Sequence, residues 1–149
     1  DVSRNAFIAL WFCVSTNSSK TGVLIGLHTN ALGGIEAQLE DGSYDEVIKI
    51  CEQHDHPQVY ESPSISPRIF SQHGQFLYSK VSSNKEGSLD VPQEDKYRTF
   101  IAITPELKQT SINVLESVFD YRTKTLFPDL DGFGMANHFS VPPDKMDRW

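Results

Sequence analysis

The stretch SPRIFSQHGQFLYSK, residues 66–80, poses the question on which this chain turns. Its second half alternates as a strand does, and QFLYSKV reads as a strand over 75–81. Its first half places an arginine, two hydroxyls, a glutamine, a histidine and a glycine within nine residues. Arg68 carries a permanent charge that fits a carboxylate or a phosphate. Gln72 offers both a donor and an acceptor to orient a ligand. Gly74 permits close backbone approach, or a bulge, where the strand begins. His73 has the chemistry of a base, but a lone histidine beside a turn is usually only solvated. The segment therefore reads either as a binding site or as an ordered approach to the strand.

Outward from this stretch, GVLIGLH (22–28) and YRTFIAI (97–103) read as two further strands, the second with Tyr97, Thr99 and Ile101 on one face. Ser43 and Glu46 have capping-box spacing, which predicts a helix near 44–53 with Val47, Ile48, Ile50 and Cys51 as its apolar face. The HDHP run stops it, because the residue before proline avoids helical geometry. Residues 82–95 read as a loop. Thr104 caps a helix with Pro105 at its first position and Leu107, Ile112, Leu115 and Val118 as its apolar face. LFPDLDG ends the regular pattern, and GMANHF reads as a last helical turn. Strands and helices without regular alternation predict an α+β domain over 1–149 with mixed or antiparallel sheets.

The chain opens DVSRNAFIALWFCVS. Ser3 or Asn5 is placed to cap a helix over 5–15. Its apolar run, Ala6–Val14, is too short to span a bilayer. Because the run is apolar on every face, the expectation is a helix buried all round beneath the strands. A further expectation is that a missing N-terminal part of the same domain packs on it.

A chain of 149 residues buries roughly two thirds of its unfolded surface. The formal charge of −7, from 13 Lys+Arg against 20 Asp+Glu, argues against nucleic-acid backbone as the main partner. Cys13 and Cys51 form no disulfide framework, and a cytoplasmic setting is the default. Cys51, His54, Asp55 and His56 are metal-ligand types without zinc-site spacing, so they read as a solvated helix end. The acids of DLDG lack the further oxygens of a calcium loop. No phosphate-loop pattern is present. The reading is of no metal, no nucleic acid and no membrane.

Three segments together resemble the FRG domain: DVSRNAFIALWFCV at 1–14, SPRIFSQHGQFLYS at 66–79 and TLFPDLDGFGMANHF at 125–139. Asp1, Ser3, Asn5, Ala9, Leu10 and Phe12 match that family's first motif. Arg68, Ile69, Gln72, Gly74 and Phe76 match its middle motif, and Thr125 through Gly132 its last. The Phe-Arg-Gly motif that names the family is absent. The order of motifs is also similar, more loosely, to that of ADP-ribosyltransferases. That resemblance implies an ADP-ribosyltransferase-like fold, NAD as substrate, transferase or NAD glycohydrolase chemistry, and a bacterial or phage defence or toxin setting. It implies Asp1, Ser3, Asn5, Arg68 and Gly74 around the nucleotide, and Gln72 or Gln75 in the late catalytic position. A glutamine cannot ionise to balance the charge that develops on the ribose, and Glu61 is the nearest upstream acid. This chain alone is expected to be inactive. The alternative is a non-catalytic module that binds a partner protein or ligand.

Two geometric expectations follow. Ser3 and Gln72 should converge on one cleft at the start of the first helix. Leu126, Phe127 and Leu130 should insert into the core, with Asp129 and Asp131 accepting backbone N–H groups.

Overall fold

The computed structural model of the chain describes residues 1–32, 43–54, 56–60, 66–79, 91, 94–142 and 146. Chain order runs β1 (Val2–Ser3), α1 (Ala6–Val14), β2 (Gly22–Leu27), α2 (Thr29–Leu32), α3 (Tyr44–Glu52), β3 (Gln58–Tyr60), α4 (Pro67–Ser71) and β4 (Gly74–Tyr78). A 3-10 turn (Asp95–Tyr97), β5 (Arg98–Ile103), α5 (Pro105–Ser117), α6 (Thr123–Leu126) and α7 (Leu130–Ala136) follow. The architecture is mixed α+β with small antiparallel sheets. One sheet has the order β1-β4-β3 and the other pairs β2 with β5. The expected strands sit within a residue of their predicted starts. Residues 80 and 81 of the first, most of the 82–95 loop, and Asp55 and Glu61 lie outside the described residues.

By proximity along the fold the chain groups into two compact units. The first gathers Asp1–Val2, Leu24–Pro63 and Gln75–Ile101; the second gathers Ser3–Val23, Ser64–Gly74 and Ala102–Trp149.

In the first unit β3 and β4 are antiparallel, with Gln58 opposite Tyr78, Val59 opposite Leu77 and Tyr60 opposite Phe76. Tyr60 and Tyr78 meet edge to face at 5.5 Å, a cross-strand aromatic pair of the kind that pins register. The Gln58 side chain donates to the Leu32 carbonyl at 3.0 Å, which satisfies the end of α2. Glu46 accepts from both the N–H and the hydroxyl of Ser43, at 2.7 and 3.0 Å, so α3 starts where the capping-box spacing placed it. Leu32 and Cys51 are buried.

In the second unit α1 packs on α5. Asn5 caps α1: its side-chain oxygen accepts from the N–H groups of Phe7 (2.9 Å) and Ile8 (3.4 Å). Ile8, Trp11 and Val14 recur at helical spacing and are the residues it buries. Phe7 and Phe12 remain partly exposed, so the expectation of a helix buried all round is corrected to one buried face. Thr104 caps α5 through the Leu107 N–H, with Pro105 at the first position as expected. The buried face of α5 is only partly the one predicted. Leu115 is interior, Leu107 and Val118 face solvent, and the other interior side chain is Lys108, only 3% exposed. Its ammonium donates to the carbonyls of Thr16 (3.0 Å) and Asn17 (3.3 Å), just past the end of α1. A buried ammonium is tolerated because these carbonyls, in the turn after α1, replace water as its acceptors.

The largest departure lies in TLFPDLDG. Rather than ending the pattern, it starts a helix. Asp129 caps α7 by accepting the Gly132 N–H at 2.8 Å. That places Leu130 at the first helical position, where it points outward at 88% exposure, while Leu126 is 1% exposed. Gly132 faces inward, so close to Phe127 that a Cβ there would overlap the Phe127 carbonyl.

Candidate functional site

The polar segment 66–74 folds as a short helix and a tight turn. Ser66 caps α4 at the Arg68 N–H (3.3 Å), and Pro67 fills the first position, where no N–H is needed. The Gln72 N–H closes on the Arg68 carbonyl at 3.0 Å. His73 then takes a left-handed conformation, φ 47°, and reverses the chain into β4. A side chain in that region is strained by roughly 1–2 kcal/mol. Its carbonyl is held by the Arg4 N–H at 3.1 Å. At Gly74 a Cβ would lie 3.5 Å from the Ile69 carbonyl, an ordinary contact, so the close approach expected there is not what glycine supplies.

Ser3 and Gln72 converge. The Ser3 hydroxyl donates to the Gln72 backbone carbonyl at 2.7 Å across 69 residues of sequence, and accepts the Asn5 N–H at 3.1 Å. The first and second motifs are therefore joined by the Ser3 hydroxyl and the Arg4 N–H, both on main-chain carbonyls of the turn. The second and third are joined through side chains. The Gln72 amide donates to the Leu126 carbonyl at 2.9 Å. The Arg68 guanidinium reaches Asp129 from Nε at 2.8 Å and from a terminal nitrogen at 2.7 Å, and lies over the Phe127 ring at 5.0 Å. Asp131 sits farther off, at 3.8 Å, with its side chain almost wholly exposed. The Gly132 N–H, and then Arg68, hold the Asp129 carboxyl below the usual carboxylate range.

Most of the groups expected to meet a ligand thus have protein partners. Arg68 is paired, the Gln72 amide is engaged, and Asn5 takes up two N–H groups at the start of α1. Gln72, expected in the late catalytic position, presents a bonded amide. Asp1 and Gln75 belong to the other unit, where Asp1 is exposed and Gln75 is buried in β4. Among the described residues no three His, Cys, Asp or Glu side chains are grouped to hold a metal. No described helix is long and apolar enough to cross a membrane.

Three contributors escaped the sequence reading. Asp129 accepts a backbone N–H as expected, from Gly132, but its pairing with Arg68 has no local signal in the sequence. Tyr121 accepts the Asn5 side-chain N–H at 3.0 Å, a contact across 116 residues that no local pattern signals. The buried Trp11 indole N–H has no partner among the described residues.

No protein-family model, curated protein or solved structure matches the chain.

Proposed function

We propose that this chain is a nucleotide-handling module of the FRG type, with an ADP-ribosyltransferase-like plan and NAD or a related nucleotide as its ligand. The observation that supports it is the convergence of the residues that carry the resemblance: Ser3 on Gln72 at 2.7 Å, and Arg68 on Asp129. The proposed setting, by resemblance alone, is bacterial or phage defence or a toxin. The chemistry has a limit. Glutamine cannot ionise, and the Gln72 amide is held by Leu126, so Gln72 braces the turn rather than stabilising a developing ribose cation.

A second reading, a non-catalytic module for a partner protein, is favoured by the engagement of Arg68 and Gln72 within the fold. Titration calorimetry of the intact chain with NAD, beside chromatographic assay of nicotinamide, separates the two. The expected result is binding without nicotinamide release. Release would make the chain an enzyme by itself. Absence of binding up to about 1 mM NAD, weaker than about −4 kcal/mol, would remove the nucleotide reading.

A further inference from the structure

Two nucleophiles from different helices meet at the end of α1, away from the residues that carry the three motifs' polar contacts. Cys13 lies in the last turn of α1 and Lys108 in the first turn of α5, the helix that packs on it. Both belong to the second unit. Gly22, the first residue of β2, makes room for them. A Cβ there would sit 2.5 Å from the Cys13 sulfur and 3.1 Å from Lys108 Cε. Sulfur and carbon therefore flank one point from which a side chain is missing, and lie no farther apart than those two distances together. A residue larger than glycine at 22 would push both side chains aside.

The two groups differ in what reaches them. Cys13 is a free thiol and partly exposed, so a small oxidant has access to it. Lys108 is only 3% exposed, so its amine meets the chain rather than solvent. Among the described residues its acceptors are the carbonyls of Thr16 at 3.0 Å and Asn17 at 3.3 Å, and no carboxylate pairs with it. Its third N–H is not committed to either.

From this geometry we infer that Cys13 and Lys108 are a peroxide-responsive pair that closes into a covalent sulfur–nitrogen bond between α1 and α5. Hydrogen peroxide oxidises the thiol to a sulfenic acid and is itself reduced to water. The lysine nitrogen then attacks that sulfur: the S–N bond forms and the S–O bond breaks. The hydroxyl leaves as water with one ammonium proton, and a second proton passes to solvent. Sulfenic acids condense with backbone nitrogen in the same way. Two equivalents of an added thiol reverse the link, giving up their electrons as a disulfide. With its charge gone, the nitrogen keeps a single N–H and no longer holds both carbonyls. The turn after α1, closed by the Lys20 N–H on the Asn17 carbonyl at 2.9 Å, is where the link should be felt. The inference is independent of what the chain binds.

The test treats the intact chain with hydrogen peroxide and follows it by intact mass and by tryptic peptide mapping. The expected product is a monomer lighter by two hydrogens, with one free thiol lost and cleavage after Lys108 lost. The peptides carrying residues 13 and 108 should then run as one species, and added thiol should restore both. Amide hydrogen exchange at Lys20 should quicken in the linked chain. Cys13→Ser and Lys108→Arg should each abolish the species. The parent chain decides the matter even if the lysine variant does not fold. If peroxide adds oxygens to Cys13 while trypsin still cuts after Lys108, the pair is refuted. Pairing of Cys13 with a second copy, or a link that persists in Cys13→Ser, would equally overturn it.

Discussion

Replacing Gly132 and Gly134 by alanine, one at a time, should shift stability in opposite directions although both lie in α7. Each change removes a helical glycine, and alanine is favoured there by about 1 kcal/mol. At Gly134 an added Cβ meets nothing within 4 Å, so the whole preference is realised. At Gly132 the added Cβ collides with the carbonyl oxygen and Cβ of Phe127 and lies 2.8 Å from its carbonyl carbon. Two of those atoms are backbone, so no rotamer change relieves the overlap, and α6 must move away from α7. Overpacking typically costs about 1–3 kcal/mol, and more where backbone shifts. Taking the upper end against the propensity term leaves a net loss of about 2 kcal/mol. In a chain of this length 1 kcal/mol corresponds to about 2–4 °C in Tm. Gly132→Ala should therefore melt about 4–8 °C below the parent, and Gly134→Ala about 2–4 °C above it. Far-UV circular dichroism melts and urea midpoints both report the difference. A Gly132→Ala chain as stable as the parent would refute the packing of α7 on Phe127.

Leu126→Ala should cost about 2–5 kcal/mol by urea denaturation, because that side chain is fully buried. Leu130→Ala in the same motif should stay within about 0.5 kcal/mol, and a large loss there would contradict the outward placement of Leu130. Asp129 has a folded pKa below its ordinary value, so the unfolded chain takes up the proton first as pH falls. Its contribution is complete above about pH 5 and is lost as pH drops through the lowered value. Asp129→Asn keeps a capping oxygen but removes the titration, so its stability should fall less steeply below about pH 4 than the parent's; identical acid profiles would count against a carboxylate held low by the Gly132 N–H and then by Arg68.

Much of the local structure was legible in the sequence. The alternation in QFLYSKV and YRTFIAI, the Ser43–Glu46 box and the Thr104–Pro105 start are short-range signals, and each marks an element observed near its predicted place. The nearness of Ser3 and Gln72 follows from setting the polar entry to β4 against the start of α1, although they meet in a direct hydrogen bond. The buried faces were read less well. AFIALWFCV is apolar all round, so composition cannot say which side turns inward, and packing on α5 selects Ile8, Trp11 and Val14. Lys108 is interior because carbonyls past the end of α1 lie within its reach, and hydropathy alone would put a lysine outside.

By itself the sequence determined what depends on neighbours a few residues away: caps, strand alternation, turn chemistry and the absence of a bilayer-length apolar helix among the described segments. Only tertiary structure decided which polar groups remain open to a ligand. Arg68, Gln72 and Asn5 look like ligand donors in sequence. In the fold they meet Asp129, Leu126 and Tyr121, from 54 to 116 residues away. The physical reason is that a hydrogen bond's partner is set by where distant segments come to lie. A side chain with the chemistry to bind a nucleotide has equally the chemistry to bind a carbonyl or a carboxylate of its own chain.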